Sequence, residues 1–280
     1  MKKIGFIDYY ISEWHADNYP AWFKQANEKL GLDYEVAYFW AEREVSLVDG
    51  VTSGEWAKKM GITQLDTIEE LCEKSDAIVI LAPSDPEKHL EYAEKVLPYK
   101  KRTYIDKTFA PDLETAQKIF DIAKKHGTPF FTSSALRFAD ELKELSDVKN
   151  LVVTGYGRVF DEYLIHTCEI AVTLLKSRIV KVKADKVGAQ YFCRAITENG
   201  NEIGMLLSEG FQYRVVAENS KGEIVRKDVA SGFFVNLISS MLKFFEDGEV
   251  PFDTNETLEV MKLRAGLIKA EAQDGVWLEV

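Results

Sequence analysis

The first half of the chain alternates short apolar runs with amphipathic stretches, and this alternation constrains the fold more than any other feature. The apolar runs predict buried strands, and the helical periodicity between them predicts helices. Strands that alternate with helices favour a parallel sheet covered on both faces. The predicted strands are residues 4–7, 35–40, 77–82, 103–105 and 129–131. The predicted helices are residues 17–30, 85–97 and 111–126, and a capping box at 66–69 opens a further helix.

The pattern changes after about residue 133. Helical patterns cover 135–145, 161–176 and 255–273, a strand is predicted at 150–156, and alternating segments lie at 179–195 and 205–218. Alternation bounded by turn residues is typical of antiparallel strands. We therefore expect an α/β protein with a Rossmann-type doubly wound parallel sheet in residues 1–132. An α+β domain with a mainly antiparallel sheet follows in residues 133–280, and its final helix is a candidate to pack on the first domain.

Charge and composition exclude several classes of partner. The 280 residues carry a net charge of −11, with lysines dispersed among acids, whereas proteins that bind nucleic acid present basic patches. No apolar run approaches the roughly 20 residues of a membrane span. The cysteines Cys72, Cys168 and Cys193 and the histidines lack metal-ligand spacing. These features predict a cytoplasmic protein that binds no metal, no nucleic acid and no membrane.

The loop after the first predicted strand departs from a dinucleotide-binding pattern. Such a loop reads Gly-x-Gly-x-x-Gly, because glycines let the backbone approach a pyrophosphate at a helix N-terminus. Here the three positions hold Asp8, Tyr10 and Glu13. A carboxylate about 4 Å from a phosphate oxygen costs up to ~4 kcal/mol at an effective dielectric constant of about 20. The sequence predicts either a dinucleotide held in an unusual way or a cofactor site that has been lost.

One predicted helix, 161–176, carries a polar stripe on an otherwise apolar surface. Glu162, His166, Glu169 and Thr173 fall within about 60° of one another around the helix axis. A histidine beside carboxylates has its protonated form favoured, which suits general acid–base catalysis. The alternative is a stripe of salt bridges on a partly exposed helix, and the pattern leaves both interpretations open.

A lysine stands where the fourth predicted strand turns into the next helix. Ligands of open α/β sheets bind outside the carboxyl ends of the strands. Lys107 could there hold a substrate hydroxyl, donate a proton or support a nicotinamide, or it could be a surface lysine paired with Asp106. The segment Ala82-Pro83-Ser84 ends the preceding strand and could form another wall of the same cleft.

These segments together resemble the Gfo/Idh/MocA family of oxidoreductases, which includes glucose–fructose oxidoreductase and inositol dehydrogenase. The resemblance runs almost from end to end, and the order and spacing of the motifs carry it. In the first half, Asp106-Lys107-Thr108 is similar to the family's Glu-Lys-Pro motif, and residues 82–84 are similar to its Thr-Pro-Asn turn. In the second half, Arg137-Phe138 is similar to the family's Arg-Phe pair, and residues 162–169 are similar to its Asp-x-Gly-x-His-x-x-Asp helix motif. Residues 270–277 are similar to the family's closing segment.

The resemblance implies an activity and a set of site residues. It implies hydride exchange between NAD or NADP and a sugar, polyol or cyclitol-like substrate, with Lys107, His166 and Glu162 in the catalytic positions. It also implies that Arg137 and Glu169 bind or support the substrate. The residues expected around the cofactor are Asp8, Tyr9, Tyr10, Glu42, Ala82, Pro83, Ser84, Asp106 and Lys107.

The resemblance further implies a homodimer or higher homo-oligomer assembled through the C-terminal sheet. An antiparallel sheet with helices on one face leaves its other face to be buried. The apolar residues expected on that face are Phe192, Ile196, Phe211, Tyr213 and Val215.

Two functions of different class follow from these observations. The first is an NAD(P)-dependent oxidoreductase of the family. The second keeps the fold and loses the redox chemistry, as a cofactor-free lyase or isomerase, a binding protein or a structural subunit. The carboxylates at the loop after the first strand motivate the second.

Overall fold

A computed structural model describes residues 1–273 and 275–280, so the expected closing segment 270–277 lies partly outside the described residues. Strands and helices alternate up to residue 133. They are β1 (Lys2–Asp8), α1 (Trp14–Leu30), β2 (Tyr34–Ala41), α2 (Ser53–Met60), β3 (Thr63–Gln64), α3 (Ile68–Lys74), β4 (Ala77–Ile80), α4 (Lys88–Val96), β5 (Arg102–Ile105), α5 (Leu113–His126) and β6 (Phe130–Phe131).

Beyond residue 133 the chain forms a run of strands framed by helices. The elements are a 3₁₀ turn (Ala135–Phe138), α6 (Asp140–Lys143), β7 (Val148–Gly155), α7 (Phe160–Leu175), β8 (Ile179–Val187), β9 (Gln190–Thr197), β10 (Glu202–Leu207), β11 (Arg214–Asn219), β12 (Ile224–Asp228), α8 (Phe233–Asp247), α9 (Asn255–Glu271) and β13 (Leu278–Glu279). Among the described helices, none is long and apolar enough to cross a membrane.

The chain forms two compact units. The first holds residues 1–133 and 234–252, and the second holds residues 134–233 and 253–280. The segment 234–252, most of which is α8, departs from the expected division at 132/133. It joins the first unit because Phe244 packs on Phe131, with ring centroids 5.2 Å apart, and because Arg102 donates to the Phe245 carbonyl. The final helix, α9, belongs to the second unit, where it lies against α7 and β8.

The first unit contains the predicted Rossmann-type sheet, which is thereby confirmed. Its six strands are all parallel and follow the order β3-β2-β1-β4-β5-β6. The order reverses between β1 and β4, and ligands of doubly wound sheets bind outside the carboxyl ends of the strands at such a point. Gly31 and Gly127 end α1 and α5 with φ of 67° and 66°, the left-handed conformation that glycine adopts without strain.

The second unit contains the predicted mainly antiparallel sheet, in the order β12-β11-β7-β10-β9-β8-β13. Only β7 and β10 among the described neighbours pair in parallel. The buried face carries Val153, Cys193 and Met205, and α7 packs over β7. Because side chains alternate along a strand, the opposite face carries Val152 and Phe192.

Two of the apolar residues predicted for this exposed face, Val215 and Tyr213, lie on the helix-covered face, so the prediction is wrong at these positions. Val215 is fully buried on the helix-covered face, because its position along β11 has the parity of the core residues, and its neighbour Val216 takes the other face. The Tyr213 ring lies 5.9 Å from the His166 ring, so it packs beside α7.

Several predicted boundaries differ from the structure. The helix predicted at 135–145 is broken at Ala139, whose ψ of 134° is extended. The capping box predicted at 66–69 is wrong, because α3 is capped by the Thr67 side chain, which accepts from the Glu70 N–H. A full capping box at Thr52 and Glu55 opens α2, which the sequence did not predict. The short strand β3 and the helix α8 were also missed.

Candidate active site

Three neighbouring strands of the first unit end at the same edge of the sheet. β1 ends at Asp8, and the segments that follow β4 and β5 hold Ala82 and Asp106. The Ala82 N–H donates to Asp8 Oδ1 at 3.0 Å, and the Asp106 N–H donates to the Ile80 carbonyl at 2.8 Å. Three of the predicted cofactor residues therefore adjoin at the switch point of the sheet.

Asp106 is the centre of a buried hydrogen-bond cluster. His15 Nδ1 contacts its Oδ2, and the Tyr19 hydroxyl and the Lys107 N–H donate to its Oδ1 at 3.2 and 2.9 Å. Burial opposes ionisation of Asp106, but the charges and hydrogen bonds of His15 and Lys107 outweigh burial and hold its pKa below the ordinary value. An anionic Asp106 thus fixes the backbone that carries Lys107.

The Lys107 side chain lies beside the turn that follows β4. Its Nζ donates to the Pro83 carbonyl at 3.3 Å, and the peptide bond between Lys107 and Thr108 is cis. Within residues 1–273 and 275–280, Lys107 forms no salt bridge, so the alternative of a lysine paired with Asp106 does not describe this side chain. Because an ammonium group has three donors, two remain for other acceptors.

The Asp8 carboxyl is buried at the end of β1. Its Oδ1 accepts from the N–H groups of Tyr9, at 2.7 Å, and Ala82, at 3.0 Å, whereas Oδ2 has no hydrogen-bond partner among the described residues. Burial, reinforced by the nearby Glu13 charge, raises the pKa of Asp8 well above its ordinary range.

The raised pKa of Asp8 predicts a pH-dependent stability. The unfolded carboxyl titrates at about 4, so the folded state loses stability as the pH rises from about 4 through the higher folded pKa. We expect the unfolding free energy of wild type to fall, relative to Asp8→Asn, by up to about 1.4 kcal/mol per pH unit in that window. Urea unfolding from acidic to neutral pH measures the difference, and parallel curves would contradict the prediction.

The Glu13 carboxylate caps the N-terminus of α1. Glu13 Oε1 accepts from the Ala16 N–H at 2.5 Å and its Oε2 from the His15 N–H at 2.8 Å, which explains why α1 begins at Trp14, before the predicted residue 17. These amides are the groups that would bind a cofactor pyrophosphate. The residues at the start of α1 therefore do not fit a dinucleotide pyrophosphate.

Aromatic and charged side chains surround the carboxyl end of β2. The Tyr9 ring lies 5.7 Å from the Arg43 guanidinium and 5.2 Å from Lys88 Nζ. Glu42 follows β2, and its two oxygens bond Lys88 Nζ at 2.6 Å and the Tyr92 hydroxyl at 2.8 Å. A ribose bound at Glu42 would have to compete with both partners. Among the other predicted cofactor residues, Tyr10 stacks obliquely on Tyr9, and Pro83 and Ser84 lie in the turn after β4.

In the second unit, α7 carries the predicted polar stripe. His166 Nδ1 lies 2.7 Å from the Ser134 hydroxyl oxygen, and the His166 side chain is half-buried between the Tyr163 and Tyr213 rings. Glu162 precedes His166 by four residues on the same helix and is also half-buried. A half-buried imidazole with a fixed hydrogen-bond partner is suited to proton transfer.

Glu169 is buried, unlike Glu162, and belongs to an ion-pair cluster. Arg137 Nε bonds Glu169 Oε1 at 2.5 Å, and Arg137 Nη1 bonds Glu256 Oε2 at 2.5 Å. Burial lowers the pKa of Arg137, but the two carboxylates outweigh it, and the net shift is upward. The stripe therefore divides into an accessible part at Glu162 and His166 and a buried ion pair at Glu169.

Four contacts of these sites could not be read from the sequence. His15 meets Asp106 across 91 positions, Ser134 meets His166, and Glu256 meets Arg137. The fourth is the capping of α1 by Glu13. The sequence did identify Glu13 as a carboxylate in a glycine position, but it did not predict the hydrogen bonds that this carboxylate accepts.

Comparison with known families supports the fold and the resemblance. Residues 28–134 match the Gfo/Idh/MocA family, described as an oxidoreductase family with an NAD-binding Rossmann fold. No curated protein sequence matches the chain. The match agrees, at the level of the family, with the expected NAD or NADP.

Solved structures share the fold over nearly their whole length. A myo-inositol dehydrogenase from Corynebacterium glutamicum is 14% identical, with a TM-score of 0.77, and covers 100% of this chain and 98% of that one. A scyllo-inositol dehydrogenase from Lactobacillus casei is 13% identical, with a TM-score of 0.78 and coverage of 99% and 98%. A UDP-N-acetylglucosamine 3-dehydrogenase from Acidithiobacillus ferrooxidans is 15% identical, with a TM-score of 0.77 and coverage of 97% and 98%. Residues 28–134 of this chain are thus similar to the NAD-binding Rossmann part of the Gfo/Idh/MocA oxidoreductases, and the whole chain shares its fold with the three dehydrogenases.

Proposed function

We propose that the chain is a dehydrogenase-type oxidoreductase that acts at a hydroxyl-bearing carbon of a sugar, polyol or cyclitol-like substrate. The observation that carries the proposal is Lys107, an ammonium with two unused donors at the switch-point edge of a Rossmann sheet. The substrate class rests on the inositol and UDP-sugar dehydrogenases that share the fold.

Lys107 would bind the substrate hydroxyl and exchange its proton. Asp106 holds the backbone of Lys107 through the Lys107 N–H and is itself held by His15. A positioned acid or base of this kind contributes about 10²- to 10⁴-fold to a reaction rate. We assign Lys107 the role of one acid/base group.

His166 would supply the second acid/base group, and Glu162 lies one turn earlier on the same helix. The Ser134 hydroxyl oxygen, 2.7 Å from Nδ1, orients the imidazole ring. We propose a positioning role for Arg137 and Glu169, since their buried ion pair joins this helix to the turn at residues 135–138.

A second candidate function is favoured by the capped start of α1. A lyase or isomerase acting on the same substrates needs proton transfer from Lys107 and His166 but no dinucleotide. The hydrogen bonds from His15 and Ala16 to the Glu13 carboxylate favour this alternative, because they remove the amides that a pyrophosphate would use.

One assay separates the two candidates. The purified protein is incubated with myo-inositol, scyllo-inositol, UDP-N-acetylglucosamine and a panel of aldoses, with and without NAD⁺ or NADP⁺. The oxidoreductase is expected to produce reduced nicotinamide and a carbonyl product in equal amounts. Conversion seen by NMR without added cofactor would favour the lyase or isomerase, and no conversion of any compound would reject both for this substrate class.

We propose that the protein forms a homodimer through the exposed face of its second sheet. Val152 and Phe192, 40% and 39% exposed, lie on that face. Val152→Glu is expected to convert the dimer to a monomer in light scattering, because a charge would be buried without a partner. Val187→Glu, at a 62% exposed hairpin position, is the matched control and should leave the mass unchanged. A monomeric wild-type protein would refute the proposal.

We place the protein in the cytoplasm. Its cysteines Cys72, Cys168 and Cys193 are free and buried, which suits a reducing compartment.

A further inference from the structure

We infer that Glu13 is an internal anion that closes the N-terminus of α1 to the pyrophosphate of a dinucleotide. Both of its carboxylate oxygens are used, one on the Ala16 N–H at 2.5 Å and one on the His15 N–H at 2.8 Å. A helix N-terminus attracts an anion through its first unsatisfied amides and through its dipole. Here the chain supplies that anion itself.

Asp8 binds backbone amides at the ends of the strands in the same way as Glu13 binds those of α1. It occupies the first glycine position of the expected loop, and its Oδ1 accepts from the N–H groups of Tyr9 and Ala82. Four backbone amides at the switch point are thus bound to carboxylates of the chain: those of Tyr9, His15, Ala16 and Ala82. A phosphate in their place would meet two carboxyl groups and lose its hydrogen-bond donors.

Hydrogen bonds also fix the loop between Asp8 and Glu13. The Ser46 hydroxyl donates to the Ser12 carbonyl at 2.7 Å, and the Ser12 hydroxyl donates to Asp49 at 2.9 Å. Ile11 and Ser12 are buried. Glu13 therefore follows a fixed loop, and its displacement by a ligand would break its hydrogen bonds with the His15 and Ala16 amides.

Removal of the Glu13 carboxylate is expected to let the protein bind a dinucleotide more tightly. Glu13→Gly frees both amides and costs little at an N-cap, where glycine is tolerated. D8G/Y10G/E13G restores the full glycine pattern. We expect NADH and ADP-ribose to bind at least about a hundredfold more tightly to the triple variant than to wild type, with the single variant between them. Adenosine, which has no phosphate, should show no comparable gain.

NADH fluorescence and calorimetric titration with ADP-ribose and adenosine provide the readouts, and circular dichroism checks that each variant is folded. Asp112→Gly is the matched control, because Asp112 is the acidic N-cap of α5 and accepts from the Thr115 N–H at 2.7 Å. It should leave NADH binding unchanged.

Two results would overturn the inference: wild type binding NADH as tightly as the folded single and triple variants, or an equal gain for adenosine. The inference bears on the choice between the two proposed functions, because a wild-type protein that excludes the dinucleotide favours the lyase or isomerase, but the test itself measures ligand affinity and needs no substrate. Loss of the proposed function would appear as absent turnover of the substrate panel, whatever the variants bind.

Discussion

Replacement of Arg137 by methionine is expected to lower the free energy of unfolding by about 3–5 kcal/mol. Arg137 is buried and bonds Glu169 and Glu256, each at 2.5 Å. The variant would remove the guanidinium from the buried Glu169 carboxylate, to which the Ser134 N–H also donates at 3.3 Å. An uncompensated buried charge is far more costly than the net stabilisation that an intact buried pair provides.

A second substitution separates the stranded charge from lost packing. R137M/E169M removes both charges of the more deeply buried pair and leaves Glu256, whose side chain is 16% exposed, without the arginine. The double variant should recover a large part of the stability that R137M loses, because two apolar side chains can share the vacated space. Arg178→Met is the control, since Arg178 is exposed and lies 3.8 Å from Glu198, and it should change stability by less than about 1 kcal/mol. Chemical unfolding followed by circular dichroism measures all three, and a double variant no more stable than R137M would contradict the argument.

Local signals in the sequence were sufficient for the central strands of the first sheet and for α1, α3, α4 and α5. Each central strand is a short apolar run buried on both faces, and glycines such as Gly31 and Gly127 end the helices with positive φ. The polar stripe on α7 was also predictable, because a repeat of three to four residues depends only on helix geometry. These features require no knowledge of which distant segments meet.

The features that the sequence did not predict depend on distant contacts or on the conformation of one side chain. α8 joins the first unit through contacts such as Phe244 with Phe131, more than a hundred positions apart. Glu13 was recognised as a carboxylate in a glycine position. In the structure the Glu13 side chain bends back and accepts hydrogen bonds from the first turn of α1, which makes it the N-cap of that helix. This side-chain conformation could not be predicted from the residue type. The buried Asp106 and His15 pair likewise became visible only when the strand ends were placed.

Removal of either proposed acid/base group is expected to lower kcat by about 10²- to 10⁴-fold on any substrate that the panel identifies. Lys107→Met deletes the ammonium beside the Pro83 carbonyl, and His166→Asn deletes the titrating ring while keeping a polar side chain near Ser134. Lys118→Met and His126→Asn, on α5, are matched controls and should keep wild-type rates.

The double variant tests whether both groups act in one proton transfer. If Lys107 and His166 share a transition state, K107M/H166N should be little slower than the slower single variant, because residues that act as a unit are strongly non-additive. Independent roles would instead multiply the two losses. The pH profile of kcat adds a second readout, because H166N should remove a titration that K107R leaves in place. Wild-type turnover in K107M would eliminate Lys107 as an acid/base group and leave His166 with Glu162 as the remaining site for proton transfer.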